Sequence, residues 1–272
     1  MNYKSKFVLL FLLALLFSCA KNPFTGKSTM ALVPNSQIFP TSFQQYNQFL
    51  SENKVVTGTA DAKRIENIGM KIKSASERWL NANGHAGYLD GYQWEYKLVD
   101  SKEVNAWCMP GGKIVFYTGI LPICKDDAGI AAVMGHEVAH ALANHGQQRM
   151  SAGLLQQLGA LGTQVAVGNS DPQTQVMIMQ AYGFGSQVGG MLPFSRKHET
   201  EADRIGIILM AIAGYDPINA VHVWERMSAA SGGQAPPEIL STHPSNQSRI
   251  DDLTALVPQA KAEAAKFGVV FK

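Results

Sequence analysis

The stretch that decides the fold covers residues 126–142 and reads DDAGIAAVMGHEVAHAL. Asp126 and Asp127 at its start favour the positive end of a helix dipole, and the pattern that follows predicts a helix over 128–142. Residues four apart share one face of a helix, so His136 and His140 lie side by side.

Two imidazoles on one helix face can bind a single metal ion at ~2.0–2.1 Å. Imidazole suits zinc, and a catalytic zinc site takes three protein ligands and keeps a fourth position for water. Glu137 is not needed as a ligand and can accept a proton from that water, whose pKa the metal lowers towards ~7. The segment therefore predicts one Zn²⁺ per chain, with His136 and His140 as ligands and Glu137 as general base.

A third ligand must come from another part of the chain. Residues 198–203 read HETEAD and open a second helical run. Glu199 and Asp203 lie four residues apart on one face of that helix. Glu201 competes for the ligand role, because side-chain chemistry alone does not separate the two glutamates.

Together these segments resemble the M48 family of zinc metalloendopeptidases. Three further segments fit in the same order: Asn105-Ala106 with residues 110–114, residues 192–196, and residues 242–244 with Arg249-Ile250. The likeness covers residues 60–257 and is to the soluble lipoprotein branch of bacterial periplasms, which is related to mitochondrial inner-membrane quality-control proteases.

The resemblance implies that Glu199 is the third zinc ligand and that Asp203 fixes the tautomer of a ligand histidine through its other nitrogen. It also gives catalytic roles to His243 and Arg249. His243 is either a fourth ligand that displaces the catalytic water in a resting state or a donor to the developing oxyanion. Arg249 orients either the loop of His243 or a substrate carbonyl.

The order of patterns along the chain predicts an α+β fold, mostly helical with a small early β-sheet, and the resemblance makes it zincin-like. Strand-like sequence occurs at 92–99 and 113–118, and helical patterns dominate after residue 126. We expect a substrate peptide to lie extended beside Ile114, Val115 and Phe116, adding its backbone to a sheet edge.

Four regions are predicted: a lipoprotein signal peptide over 1–18, a lipid-anchored tether with a short helix near 43–50 over 19–55, a zinc metallopeptidase domain over 56–258, and a C-terminal tail over 259–272. The apolar run 7–17 follows two lysines and is too short to span a bilayer.

Ser18-Cys19 follows this apolar run directly and resembles the bacterial lipobox, in which cleavage leaves a lipidated cysteine. Ala20 resembles the residue found in lipoproteins that are sent to the outer membrane. We therefore expect a protein of the bacterial cell envelope, anchored through Cys19 to the outer membrane and facing the periplasm. The alternative is an ordinary signal peptide with a chance cysteine.

Composition excludes two broad classes. The 272 residues are 46% hydrophobic and 16% charged, which excludes global disorder. Without Lys4 and Lys6 of the signal, 21 of the 23 basic residues remain against 21 acidic ones, so we expect no nucleic-acid partner. Cys108 and Cys124 form either a disulfide in an oxidising envelope or two buried thiols.

Residues 150–195 carry one charge, Asp171, and seven glutamines. Residues 169–172, Asn-Ser-Asp-Pro, divide the stretch into two helical halves. A hairpin of core helices is the main interpretation, and a mobile lid or a shallow membrane contact is the alternative.

These patterns predict a zinc-dependent endopeptidase in which a metal-bound water attacks the peptide carbonyl. Backbone pairing reads little side-chain information, so we expect unfolded or misassembled envelope polypeptides as substrates. A role in protein quality control, with outer-membrane assembly machinery as a partner, is implied by the resemblance and the lipid anchor. The alternative function is an outer-membrane assembly chaperone with a latched or structural zinc site.

Overall fold

The computed structural model of the chain describes residues 19–230, 243 and 247–271. The predicted signal peptide and the residues on either side of His243 lie outside the described residues. The chain divides into two compact units: residues up to 35 with residues 144–198, and residues 36–143 with residues 199–272. Within the described ranges, no helix is long and apolar enough to cross a membrane.

The fold is mostly helical with a small mixed sheet, as predicted. The helices, numbered in chain order, are α1 (Asn35–Glu52), α2 (Ala60–Ala82), α3 (Leu121–Cys124), α4 (Asp127–Leu142), α5 (His145–Ala166), α6 (Pro172–Ser186), α7 (Leu192–Ile212), α8 (Ile218–Ala230) and α9 (Gln247–Ala265). The strands are β1 (Cys19–Lys21), β2 (Ser28–Met30), β3 (Val55–Val56), β4 (Glu95–Val99), β5 (Ala106–Met109) and β6 (Lys113–Tyr117).

The main sheet has the strand order β3-β4-β6-β5, and this order corrects one prediction. Strand β6 pairs in parallel with β4 and antiparallel with β5, so both of its sides are occupied. Ile114, Val115 and Phe116 are fully buried. The predicted substrate edge is therefore wrong. A continuous run of apolar residues is typical of a central strand, and among the described strands the sheet edge next to β6 is β5.

Helix α2 packs one apolar face against both β4 and α4. The face consists of Ile65, Ile68 and Ile72, all of them buried at the spacing that the sequence predicted. The hydroxyl of Thr59 caps the helix by accepting a hydrogen bond from the Ala62 amide at 3.2 Å.

Both ends of α4 are held by side chains. Asp126 Oδ1 accepts from the Gly129 amide at 2.9 Å, as the acidic start of the segment predicted. At the other end, the hydroxyls of Tyr88 and Tyr92 donate to the carbonyls of Leu142 and Ala141 at 2.7 and 3.0 Å. These bonds satisfy carbonyls that have no partner inside the helix and fix the position of α4.

Two of the predicted regions contain regular secondary structure. Within the region predicted as a tether with a short helix, β1 and β2 form a hairpin, and α1 spans 18 residues because Ile38, Phe39 and Tyr46 are buried along it. Helix α9 extends through Pro258 into the region predicted as the C-terminal tail and ends at residue 265, since Ala260 and Ala264 are buried. Cys108 and Cys124 are free thiols and form no disulfide; Cys124 is buried, as the second alternative expected, whereas Cys108 is only half-buried.

Helices α4 and α7 meet backbone to backbone. A Cβ atom on Gly206 would lie 2.8 Å from the Gly135 carbonyl carbon and 2.8 Å from the His136 amide nitrogen. A Cβ atom on Gly135 would lie 2.7 Å from the Gly206 carbonyl oxygen. Since the obstacles are backbone atoms, neither glycine can carry a side chain without separating the helices.

We therefore expect Gly206→Ala to lower the free energy of unfolding by about 1–3 kcal/mol, the usual cost of overpacking. Chemical denaturation measures this loss. Gly153→Ala is the matched control, because it is also a helical glycine but its Cβ would meet no atom within 4 Å. Equal stability of Gly206→Ala and the wild type would contradict the close contact.

Candidate metal centre

Four buried side chains converge in the second unit: His136, His140, Glu199 and His243. One potential ligand atom of each lies within 4.8 Å of those of the others. The two histidines of α4 share one helix face, and Glu199 comes from α7, which meets α4 at the glycine contact. His243 precedes α9 in the sequence.

The spacing of the donor atoms fits a metal ion. His136 Nε2 lies 3.1 Å from His140 Nε2, 3.2 Å from His243 Nδ1 and 3.3 Å from Glu199 Oε2. Ligands at ~2.0–2.1 Å around a tetrahedral ion are about 3.3 Å apart. Two imidazoles and a carboxylate are also a donor set that zinc takes in proteins. The residues present therefore fit a zinc ion.

Hydrogen bonds fix the orientation of the His136 ring through Nδ1, the ring nitrogen that faces away from the cluster. His136 Nδ1 lies 2.9 Å from Asp203 Oδ1, which directs Nε2 into the cluster. Arg249 donates to both oxygens of Asp203, from Nε at 2.6 Å and from Nη2 at 2.7 Å. The guanidinium carbon of Arg249 stacks 3.6 Å from the ring centroid of Trp224.

The electrostatics of the centre favour positive charge. Burial lowers the pKa of His136, but hydrogen bonds with Asp203 and Glu199 outweigh it and raise the pKa to about 9. Burial raises the pKa of Glu199, yet hydrogen bonds with His136 and His243 hold it far below its usual range. Burial likewise opposes ionisation of Asp203, whose pKa is nevertheless lowered, chiefly by the charge of Arg249.

Two carboxylate oxygens in the centre are buried and accept no hydrogen bond within the described part of the chain: Glu137 Oε1 and Glu199 Oε1. A buried polar atom without a partner is costly. Glu199 Oε1 lies 3.4 Å from His140 Nε2, which is one of the donor atoms of the cluster. Glu137 Oε1 has His243 Nε2 at 3.6 Å, beyond hydrogen-bond distance. A metal ion is a suitable partner for Glu199 Oε1, and a water molecule that donates a proton is a suitable partner for Glu137 Oε1.

The structure brings together most of the residues singled out in the sequence. His136, Glu137, His140, Glu199, Asp203, His243 and Arg249 all lie in this centre and are all buried. Glu201 is half-buried and lies outside the four-residue cluster. Ile114, Val115 and Phe116 belong to the sheet interior and contribute no open edge.

Sequence reasoning missed Trp224. It supports Arg249 and also meets the ring of His136 edge-on, with centroids 5.6 Å apart. A tryptophan in an amphipathic helix is typical of a hydrophobic core, so its spacing gave no signal of this contact. In the first unit, His145 and His198 are buried and stacked at 4.1 Å, outside the cluster.

The fold is consistent with that of a zincin-like metallopeptidase: one helix carries two histidines, a second helix carries a glutamate beside them, and a small sheet adjoins. The sequence matches Peptidase family M48 over residues 71–257. The chain belongs to this family.

Relatives of the chain come from mitochondria and from bacteria. It is 36% identical to the mitochondrial metalloendopeptidase OMA1 of Saccharomyces cerevisiae, over 72% of this chain and 56% of that protein. It is 29% identical to human mitochondrial metalloendopeptidase OMA1, over 94% and 49% respectively. It is 31% identical to the beta-barrel assembly-enhancing protease of Escherichia coli, over 69% and 37%. The chain thus spans about half the length of the OMA1 relatives.

The two candidate glutamates are separated by their metal affinity. Glu199→Gln is expected to weaken zinc binding more than the roughly 10–100-fold that loss of an outer hydrogen-bond partner costs. Glu201→Gln, the matched control two residues away, is expected to bind zinc as the wild type does. Competition with a zinc chelator measures both. Weaker binding by Glu201→Gln alone would assign the third ligand to Glu201.

Proposed function

We propose that the chain is a zinc-dependent endopeptidase in which Glu137 is the general base. The observation that carries this proposal is the buried Glu137 carboxylate beside the four-donor cluster, one oxygen of which has no hydrogen-bond partner among the described residues. A structural metal site has no need of such a base. When held by His136, His140 and Glu199, a zinc ion would supply a Lewis acid for the scissile carbonyl and would make water a stronger nucleophile at neutral pH.

The chain's own residues then divide the work. Glu137 Oε1 accepts a proton from the attacking water and afterwards returns it to the leaving amine nitrogen. Asp203 keeps His136 in the tautomer that presents Nε2 to the metal. Arg249 acts on this pair through its two hydrogen bonds to Asp203, so we assign it a positioning role and not direct contact with a substrate carbonyl.

His243 is the residue that regulates access in this proposal. Its Nδ1 lies 2.7 Å from Glu199 Oε2, inside the donor cluster. This placement supports the fourth-ligand alternative, in which His243 occupies the position of the catalytic water in a resting state. The same placement favours the second candidate function, an outer-membrane assembly chaperone with a latched or structural zinc site.

The peptide substrate is proposed to lie along β5. This strand packs against α4 and pairs with β6 on one side only. An extended peptide can therefore continue the sheet beside the metal centre through backbone hydrogen bonds. Since such pairing is insensitive to most side chains, unfolded or misassembled polypeptides are the proposed substrates.

Location in the bacterial envelope is proposed from two observations. Residues 7–19 carry the lipobox-like pattern, and one relative is named as a beta-barrel assembly-enhancing protease of E. coli. We propose attachment to the outer membrane through a lipid on Cys19, facing the periplasm, with contact to outer-membrane assembly machinery. The OMA1 relatives are named as mitochondrial, so they do not support this location.

Glu137→Gln is expected to fold, to bind zinc and to cleave a denatured protein about 10²–10⁴-fold more slowly than the wild type, because it cannot accept the proton. The measurement compares both proteins at matched zinc content. In cells, a Glu137→Gln protein that folds, binds zinc and retains full function would support the chaperone instead.

His243→Ala is expected to retain zinc and to change the rate of cleavage. A faster rate of cleavage would indicate that His243 is a fourth ligand that displaces the catalytic water. A slower rate would indicate that His243 donates to the developing oxyanion. Metal analysis and the cleavage assay are made on the same preparation. Loss of bound zinc, or an unchanged rate, would contradict both roles.

Cys19→Ser is expected to abolish incorporation of labelled fatty acid when the full sequence is expressed in a bacterium, since a thioether-linked lipid requires the thiol. Cys108→Ser is the control for unspecific labelling. Labelling of Cys19→Ser equal to that of the wild type would overturn the anchor without bearing on the metal centre.

A further inference from the structure

Helix α5 in the first unit buries polar side chains in its first two turns and exposes apolar side chains along its length. Its buried residues are all polar: His145, Gln147, Gln148 and Ser151. Leu155 is half-buried, whereas five of its large apolar residues are exposed to solvent: Met150, Leu154, Leu158, Leu161 and Val165. At 100° per residue these five side chains fall within an arc of about 80°, so they form one continuous stripe.

Helix α6 has no buried residue and adds to the apolar surface. Val176, Met177 and Phe184 are 56%, 63% and 72% exposed. The two helices are joined by polar contacts: Tyr182 donates to the Gln156 carbonyl at 2.8 Å, and Gln156 Nε2 donates to Ser186 Oγ at 2.9 Å. This helical hairpin, residues 145–186, therefore turns apolar side chains outwards along both helices, which a domain surrounded by water does not explain.

We propose that the apolar stripe of the helical hairpin lies in the interface of a lipid bilayer, with the helix axes parallel to the membrane. The first reason is charge. Residues 150–195 contain a single charged side chain, Asp171, at the turn between the helices. A surface that faces water is normally rich in charged side chains of both signs, and this stretch has almost none.

The second reason is the position of Cys19. Cys19 lies in β1, which pairs with β2, and β2 packs on α5. Just after β2, the Leu32 amide donates to Ser151 Oγ at 3.1 Å, and Gln147 Nε2 donates to the Val33 carbonyl at 2.8 Å. This step rests on the proposed lipid anchor: the lipidated residue and the apolar stripe then belong to one structural unit.

The composition of residues 150–195 indicates how the apolar stripe would bind a bilayer. Seven glutamines between residues 150 and 195 oppose a spanning orientation, whereas an amphipathic helix in the interface needs only one apolar face. With almost no basic residues along the stripe, the affinity comes from apolar burial. Binding is therefore expected to depend little on anionic lipid or on salt.

The test uses the chain from residue 19 onwards with Cys19→Ser, so that no lipid is attached, and vesicles of neutral phosphatidylcholine and phosphatidylethanolamine. We expect this protein to float with the vesicles at low and at high salt. The double variant Leu158→Gln with Leu161→Gln is expected to lower the partition coefficient at least about tenfold, because it removes two central side chains of the stripe.

The matched control is Met70→Gln with Val270→Gln, which replaces two exposed apolar residues of the other unit and is expected to float as the parent does. Circular dichroism establishes that all variants fold. Cleavage of a soluble denatured substrate by the Leu158, Leu161 variant is expected to be unchanged, so failure of this inference is distinguishable from failure of the endopeptidase or of the anchor.

Four results would overturn the membrane assignment. The first is that the parent protein fails to float with the vesicles, or that it floats only with anionic lipid at low salt. The Leu158, Leu161 variant floats like the parent. The parent is a dimer that the variant converts to monomers, with no vesicle binding, which assigns the stripe to a second copy. Lastly, the variant loses cleavage of the soluble substrate, which assigns the stripe to polypeptide capture or to a lid.

Discussion

Helices α4 and α7 touch at Gly135 and Gly206 without any intervening side chain, and the metal centre depends on this contact. His136 follows Gly135 directly, and Glu199 lies two helical turns before Gly206. Ligands from two helices can reach one ion only if the helices approach closely near the ligands. The hydroxyls of Tyr88 and Tyr92, which hold the end of α4, keep that approach from relaxing.

The charge of the centre is arranged for a divalent cation. Three buried carboxylates, Glu137, Glu199 and Asp203, face a single buried guanidinium, that of Arg249. The excess of two negative charges equals the charge of Zn²⁺. Despite the burial of His136, hydrogen bonds with Asp203 and Glu199 raise its pKa to about 9. A divalent cation would balance the charge of this cluster.

Local patterns in the sequence pointed to side chains that the structure brings into one buried cluster. Spacing of four placed His136 and His140 on one helix face, and family resemblance selected Glu199 over Glu201. The strand order was not predictable in the same way: the apolar run 114–116 suits a central strand as well as an edge, and only pairing with β4 and β5 separates the two. The contact of Trp224 with Arg249 joins residues 25 positions apart and follows no local periodicity.

The helical hairpin is a region where local sequence patterns did not predict which residues are buried. Its sequence correctly indicated two helical halves, but the interpretation as core helices is wrong, because α6 has no buried residue and large apolar side chains of both helices are exposed. The most direct measurement of the central claim is anomalous diffraction at the zinc absorption edge from crystals of the zinc-loaded protein. The account predicts one peak within bonding distance of His136 Nε2, His140 Nε2 and the Glu199 carboxylate. A peak elsewhere, or none at these atoms, would contradict it.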